Sequence, residues 1–134
     1  MADNQQTKIL LVDDDKFIVD MYLIKFGEHG FKIEPAFSGA EALEKLTKGF
    51  APDILLVDII MPGMDGFQLI REITEKNLRH NAAIVVLSNL GQKDDIERAL
   101  ALGVDGYIVK ASATPSEVVS RVLEITKTRL AKAT

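Results

Sequence analysis

The chain contains no cysteine, which rules out a disulfide framework and a thiolate metal site and suits a reducing compartment. Long apolar runs are also missing. The longest, such as ILLV at 9–12 and 54–57 and AIVVL at 83–87, are of strand length and far short of a membrane span. No basic segment leads into an apolar stretch at the start, so no signal peptide is visible and no membrane insertion is expected. Excess positive charge is lacking too. Lys and Arg number 16 against 20 Asp and Glu, for a net charge of −4, and the basic residues are scattered without interleaved aromatics. That balance argues against direct nucleic-acid binding. These absences leave a cytoplasmic protein as the expectation.

A chain of 134 residues suits one domain, and its 47% hydrophobic content is ample for one core. The polar opening MADNQQT makes 1–7 an N-terminal tail and the last residues make 131–134 a C-terminal tail, leaving 8–130 as the domain. Four apolar runs, 9–12, 54–57, 83–87 and YIV at 107–109, do not alternate with polar residues. Strands of that kind are covered on both faces, as in a parallel sheet. A weaker strand is expected around Lys32 to Phe37. Helical stretches lie between them, with start signals at Ser38 and Glu41, at Asp65 and Gln68, and at Thr114, Pro115 and Glu117. Gly30, Gly49 and Gly103 stand where helix C-termini need a left-handed residue. The last helix carries Val118, Val122 and Ile125 on one stripe, with Val119 and Leu123 beside it.

The pattern is βα repeated five times with short loops. Alternation of this kind gives an α/β fold: a single doubly wound (βα)5 flavodoxin-like domain, with five parallel strands in the order 2-1-3-4-5 and helices on both faces. All strand C-termini then meet at one rim, where open α/β sheets place their ligands. The first strand ends in Asp13-Asp14-Asp15, the third in Asp58, the fourth in Ser88 and the fifth in Lys110. Carboxylates converging without counter-charge raise one another's pKa, and a hard divalent cation resolves the conflict. Mg²⁺ takes one or two carboxylates, waters and phosphate oxygens, so the set reads as a phosphoryl-transfer site. The nucleophile candidates are Ser88 and an aspartate. Asp58 stands alone at its strand end, which favours it as acceptor and Asp13 and Asp14 as the metal pair. Asp15 is read as a first-turn acid that starts the helix, and His29 and His80 are given no role.

DDD at 13–15, VDIIMPGMDGF at 57–67, LSN at 87–89 and DGYIVKA at 105–111 resemble the receiver domain of bacterial two-component response regulators. The resemblance covers about residues 8 to 130. It implies phosphorylation of Asp58 by a histidine kinase or histidine phosphotransfer protein. It implies Mg²⁺ as cofactor, bound by Asp14 directly, by Asp13 through water, by Asp58 and by the backbone carbonyl of Ile60. Ser88 and Lys110 would act on the phosphoryl group, Ser88 and Tyr107 would be the switch residues, and Pro62 and Gly66 would belong to the loop after the acceptor. A downstream protein effector would dock near strands 4–5 and helix 4. Two positions depart from the pattern. Ala111 replaces a proline that members often carry after a cis bond, and a cis bond before a non-proline costs about 3–4 kcal/mol. Asn89 follows the switch serine where a smaller residue is common.

The expected function is a phosphorylation-activated switch in a two-component phosphorelay, not an enzyme beyond catalysing its own phosphorylation and dephosphorylation. The alternatives are a Mg²⁺-dependent aspartyl-phosphate phosphohydrolase, which would need an acid where Ile60 stands, and a phosphorylation-independent protein-binding module.

Overall fold

The structure, a computed structural model, describes residues 7–133, with side chains through Thr128. Residues 1–6 of the expected N-terminal tail and Thr134 lie outside the described residues. Strands and helices alternate throughout: β1 (Lys8–Val12), α1 (Lys16–Glu28), β2 (Lys32–Ala36), α2 (Gly39–Thr47), β3 (Ile54–Val57), α3 (Gly66–Glu75), β4 (Ala83–Ser88), α4 (Lys93–Ala101), β5 (Gly106–Val109) and α5 (Pro115–Ala133). The strands form one parallel sheet in the order β2-β1-β3-β4-β5, which is the expected topology.

Successive side chains of a strand point to opposite faces, so each unbroken apolar run feeds two cores. Leu10, Val12, Leu55, Val57, Ile84 and Val86 pack on one face with Leu46 of α2, Leu69, Ile70 and Ile73 of α3, and Ala99 of α4. Ile9, Leu11, Ile54, Leu56, Val85 and Leu87 pack on the other with Val19, Tyr22 and Phe26 of α1 and Val118, Val119 and Val122 of α5. Of the two residues expected beside the α5 stripe, Val119 is buried and Leu123 stands 37% exposed.

The caps follow their chemistry with small differences. Thr114 and Glu117 form a reciprocal box: the Glu117 N–H donates to the threonine hydroxyl and the Thr114 N–H to the glutamate (3.1 and 2.8 Å). At α2 the Glu41 N–H donates to Ser38, but the Glu41 carboxylate accepts from Phe37 rather than from Ser38 itself. Asp15 lies outside the first turn. Its backbone is extended and its carboxylate accepts the N–H groups of Phe17 and Ile18, so it is the N-cap of α1. Past α3 the left-handed position is taken by Asn77 (φ 60), which tolerates it through its short polar side chain. The peptide bond between Lys110 and Ala111 is trans, as are all the described bonds, and the chain makes a 3₁₀ turn over Lys110–Ser112.

At the opposite edge of the sheet Arg79 bonds the carbonyls of Ala82 and Gly103 and the Asp105 carboxylate (2.6 Å). Asp105 in turn accepts the Ile84 N–H. This cluster aligns the starts of β4 and β5, and through them the two strand ends that carry Ser88 and Lys110.

Gly66 brings α3 hard against the end of β3. A Cβ built there would lie 2.3 Å from the Asp58 carbonyl oxygen and 2.7 Å from Ile59 Cα. Both are backbone atoms and cannot swing away. Gly66→Ala is expected to destabilise the fold by about 1–3 kcal/mol, as overpacking does. Gly27, inside α1 with nothing within 4 Å, should instead gain up to about 1 kcal/mol on substitution by Ala. Urea denaturation of the two variants checks the contrast.

Candidate functional site

Backbone pairing carries on one residue past the strands and sets the acids side by side. The Asp13 N–H donates to the Ala36 carbonyl (3.1 Å) and the Asp58 N–H to the Val12 carbonyl (2.9 Å). Asp58 is thereby seated beside the end of β1. Carboxylate oxygens of Asp13, Asp14 and Asp58 all lie within 4.8 Å of one another. Asp13 and Asp58 are almost wholly buried, at 1% and 7% exposure, and Asp14 is exposed. Three carboxylate oxygens at one point, one of them open to solvent, are the donor set a hard, oxygen-seeking cation takes.

Lys110 reaches in from the end of β5. Its Nζ lies 2.5 Å from Asp13 Oδ2 and 3.1 Å from Asp58 Oδ2, and the side chain is buried. One positive charge therefore faces three negative ones. Burial raises the Asp13 pKa above the usual carboxylate value and outweighs the lysine that opposes it. Burial alone would lower Lys110, but its bond to Asp13 and the Asp58 charge prevail and lift it. The linkage signs differ. The stability that Lys110 adds is complete below the ordinary lysine value of 10.5 and is lost as pH climbs through its raised value. The penalty for burying charged Asp13 stands above its raised pKa and is relieved as the pH falls toward 3.8.

Backbone amides hold the acids in place. Asp13 accepts the Asp15 N–H (2.9 Å) and Asp58 accepts the Ile60 N–H (3.3 Å). Ser88 is fully buried at the last position of β4. Its hydroxyl oxygen accepts the Leu90 N–H (3.3 Å), leaving its proton free to donate. Tyr107, half-buried on β5, donates its hydroxyl to the Leu90 carbonyl, so Leu90 is tied to both side chains. Burial, with Asp95 and Asp58 nearby, raises the Tyr107 pKa and keeps the phenol protonated as a donor.

The site residues expected from the sequence thus gather at one rim: Asp13, Asp14, Asp58 and Lys110 in direct reach, Ser88 one strand over, and Tyr107 through Leu90. His29 and His80 are exposed and apart. The Leu90 carbonyl was not legible as a partner, although a half-buried tyrosine hydroxyl needs one. Nor was the apolar face of α1, where Phe17 stands 89% exposed directly after the acidic trio, followed by Met21 and Ile24 at helical spacing.

Comparisons with known proteins agree with the fold. The family model described as the response regulator receiver domain matches residues 9–123. The regulatory protein VanRc of Enterococcus gallinarum is 35% identical over 115 residues, covering 86% of this chain and 48% of VanRc, so the chain spans about half the length of that relative. The chemotaxis protein CheY of Halobacterium salinarum is 36% identical over 119 residues, covering 87% of this chain and 96% of CheY. A CheY-like receiver domain structure from Methanospirillum hungatei superposes with a TM-score of 0.84 at 25% identity, over 95% of this chain and 98% of that one. No described helix is long and apolar enough to cross a membrane.

Removing Lys110 would leave two buried carboxylates without their counter-charge. Lys110→Met is expected to destabilise the metal-free protein by about 3–5 kcal/mol. Asp13→Asn should cost far less, because it relieves repulsion and leaves Asp58 for the lysine. Urea denaturation in EDTA measures both, and an unchanged midpoint for Lys110→Met would contradict the clamp.

Proposed function

The chain belongs to the response regulator receiver domain family, whose members are two-component signalling modules, and from that premise we propose that it is a phosphorylation-driven switch with Asp58 as acceptor. The observation that carries this reading is the charge imbalance at the rim: three carboxylates within 4.8 Å of one another and one lysine to answer them. Asp14 would hold Mg²⁺ directly and Asp13 through water, with Asp58 and the Ile60 carbonyl completing the protein ligands. When bound, Mg²⁺ supplies the neutralisation that lets an anionic phosphoryl group approach an anionic acceptor.

The chain's own residues do the rest. An Asp58 carboxylate oxygen forms a bond to phosphorus as the N–P bond of a phosphohistidine breaks. The electron pair returns to the imidazole nitrogen, which takes up a proton. Lys110, already beside Asp58, follows the new charge onto a phosphoryl oxygen, and the free Ser88 proton is donated to another. Moving Ser88 disturbs its bond with Leu90, and Leu90 is the partner of Tyr107. The phosphoryl state is thereby read out at β4, β5 and α4, where a protein effector docks. Such a switch requires two states already close in free energy.

The donor is a histidine kinase or histidine phosphotransfer protein, and the exposed Phe17, Met21 and Ile24 beside the mouth give a protein donor an apolar face to press on. The module catalyses only its own phosphorylation and dephosphorylation. It works in the cytoplasm, with the receiver domain over about residues 8–130 and its last helix carried on to Ala133.

Incubation with Mg²⁺ and a small donor such as phosphoramidate should add one phosphoryl group by intact mass to the wild type and none to Asp58→Asn. A modification that persists in Asp58→Asn would overturn the acceptor assignment. Phe17→Asp should react normally with the small donor and slowly with a phosphorylated kinase that serves the wild type.

A further inference from the structure

Lys16 follows the acidic trio directly in the chain, yet none of the described ion pairs includes it. It is the first residue of α1, exposed, and two positions along from Asp14. The amino end of a helix is a poor place for a cation, and the nearest opposite charges along the chain are the site's own acids. Its Nζ lies instead 5.8 Å from the centre of the Phe37 ring, within cation–π range. Phe37 directly follows β2. Its N–H donates to the Glu41 carboxylate (2.9 Å), and its side chain is partly buried against the layer of α1 and α5. The carbonyl just before it, that of Ala36, accepts the Asp13 N–H. Because β1 runs between β2 and β3, Phe37 stands on the side of Asp13 away from Asp58. Lys16 is thereby drawn off the acids. Among the described residues, Lys110 is left as the only cation paired with them.

We infer that Phe37 keeps Lys16 out of the cation site, so that an aromatic ring sets the Mg²⁺ affinity of the rim without touching the ion; this rests on the acids being a Mg²⁺ site. A cation–π contact and an ion pair at exposed positions are of similar small size, so the presence of the ring decides which one Lys16 makes. Without the ring, the ammonium is released to pair with Asp14, the one exposed member of the set. Mg²⁺ must then displace it. Phe37 and Lys16 are positioning residues, since neither supplies a ligand atom.

The test is calorimetric titration of Mg²⁺, in low-salt buffer, into single and double variants whose melting temperatures in EDTA verify the folds. Phe37→Leu and Phe37→Met each keep an apolar side chain and lose the ring. Each should bind Mg²⁺ roughly two- to fivefold more weakly than the wild type, the size of one exposed ion pair, and added salt should narrow the gap. Lys16→Gln alone should change the affinity less than about twofold, because the charge it removes is held off the site and screened. Adding Lys16→Gln to either Phe37 variant should restore wild-type binding, which a packing defect at Phe37 would not allow. Lys16→Arg, whose guanidinium also stacks on an aromatic face, should bind like the wild type. Unchanged or tighter binding in both Phe37 variants, or a loss that Lys16→Gln does not relieve, would overturn the inference. No Mg²⁺ binding by the wild type would overturn the cation site first and the inference with it.

Discussion

One ammonium group stands among three carboxylates, and the rest of the domain is arranged to keep it there. Lys110 comes from the last strand, Asp13 and Asp14 from the first and Asp58 from the middle one. Only a parallel sheet brings those ends to one rim. The lysine is close enough to make burial of Asp13 and Asp58 tolerable and too little to neutralise the set. A buried pair of this kind adds little net stability beside an apolar alternative. What remains is a deficit of positive charge at the rim.

The two apolar layers give this cluster a rigid base. β3 and β4 are buried along their whole length and β1 from Ile9 onward, and close-packed cores of that kind do not deform continuously. Leu90 ties Ser88 to Tyr107, because its two backbone groups serve one side chain each. The fifth strand delivers Lys110 to Asp13 and Asp58 with a trans bond at Ala111.

Much of this was legible in the sequence, for physical reasons. Unbroken apolar runs mean strands covered on both faces, and the residue after each run is then fixed at the rim, which is how Asp13, Asp58, Ser88 and Lys110 could be named together. Caps with a polar side chain three residues before a glutamate were readable because the hydrogen-bond spacing is local. What could not be read depends on tertiary distance. Lys110 was placed at the rim, but its closer approach to Asp13 than to Asp58 follows from strand register and side-chain reach. Val119 and Leu123 flank the α5 stripe alike in sequence, yet the first is buried and the second 37% exposed, because packing against neighbouring elements decides how broad the buried stripe is. On α1 itself, apolar residues all round hid which face was free, so Phe17, Met21 and Ile24 gave no signal of exposure.

The rim carries more negative charge than the protein itself balances. Calorimetric titration of Mg²⁺ into the wild type and into Asp14→Asn is the measurement, because Asp14 is exposed and takes no part in the Lys110 clamp. The account predicts one Mg²⁺ bound by the wild type, with a melting temperature that rises as the ion is added, and no binding by Asp14→Asn. No binding by the wild type, or the same isotherm for both proteins, would contradict it.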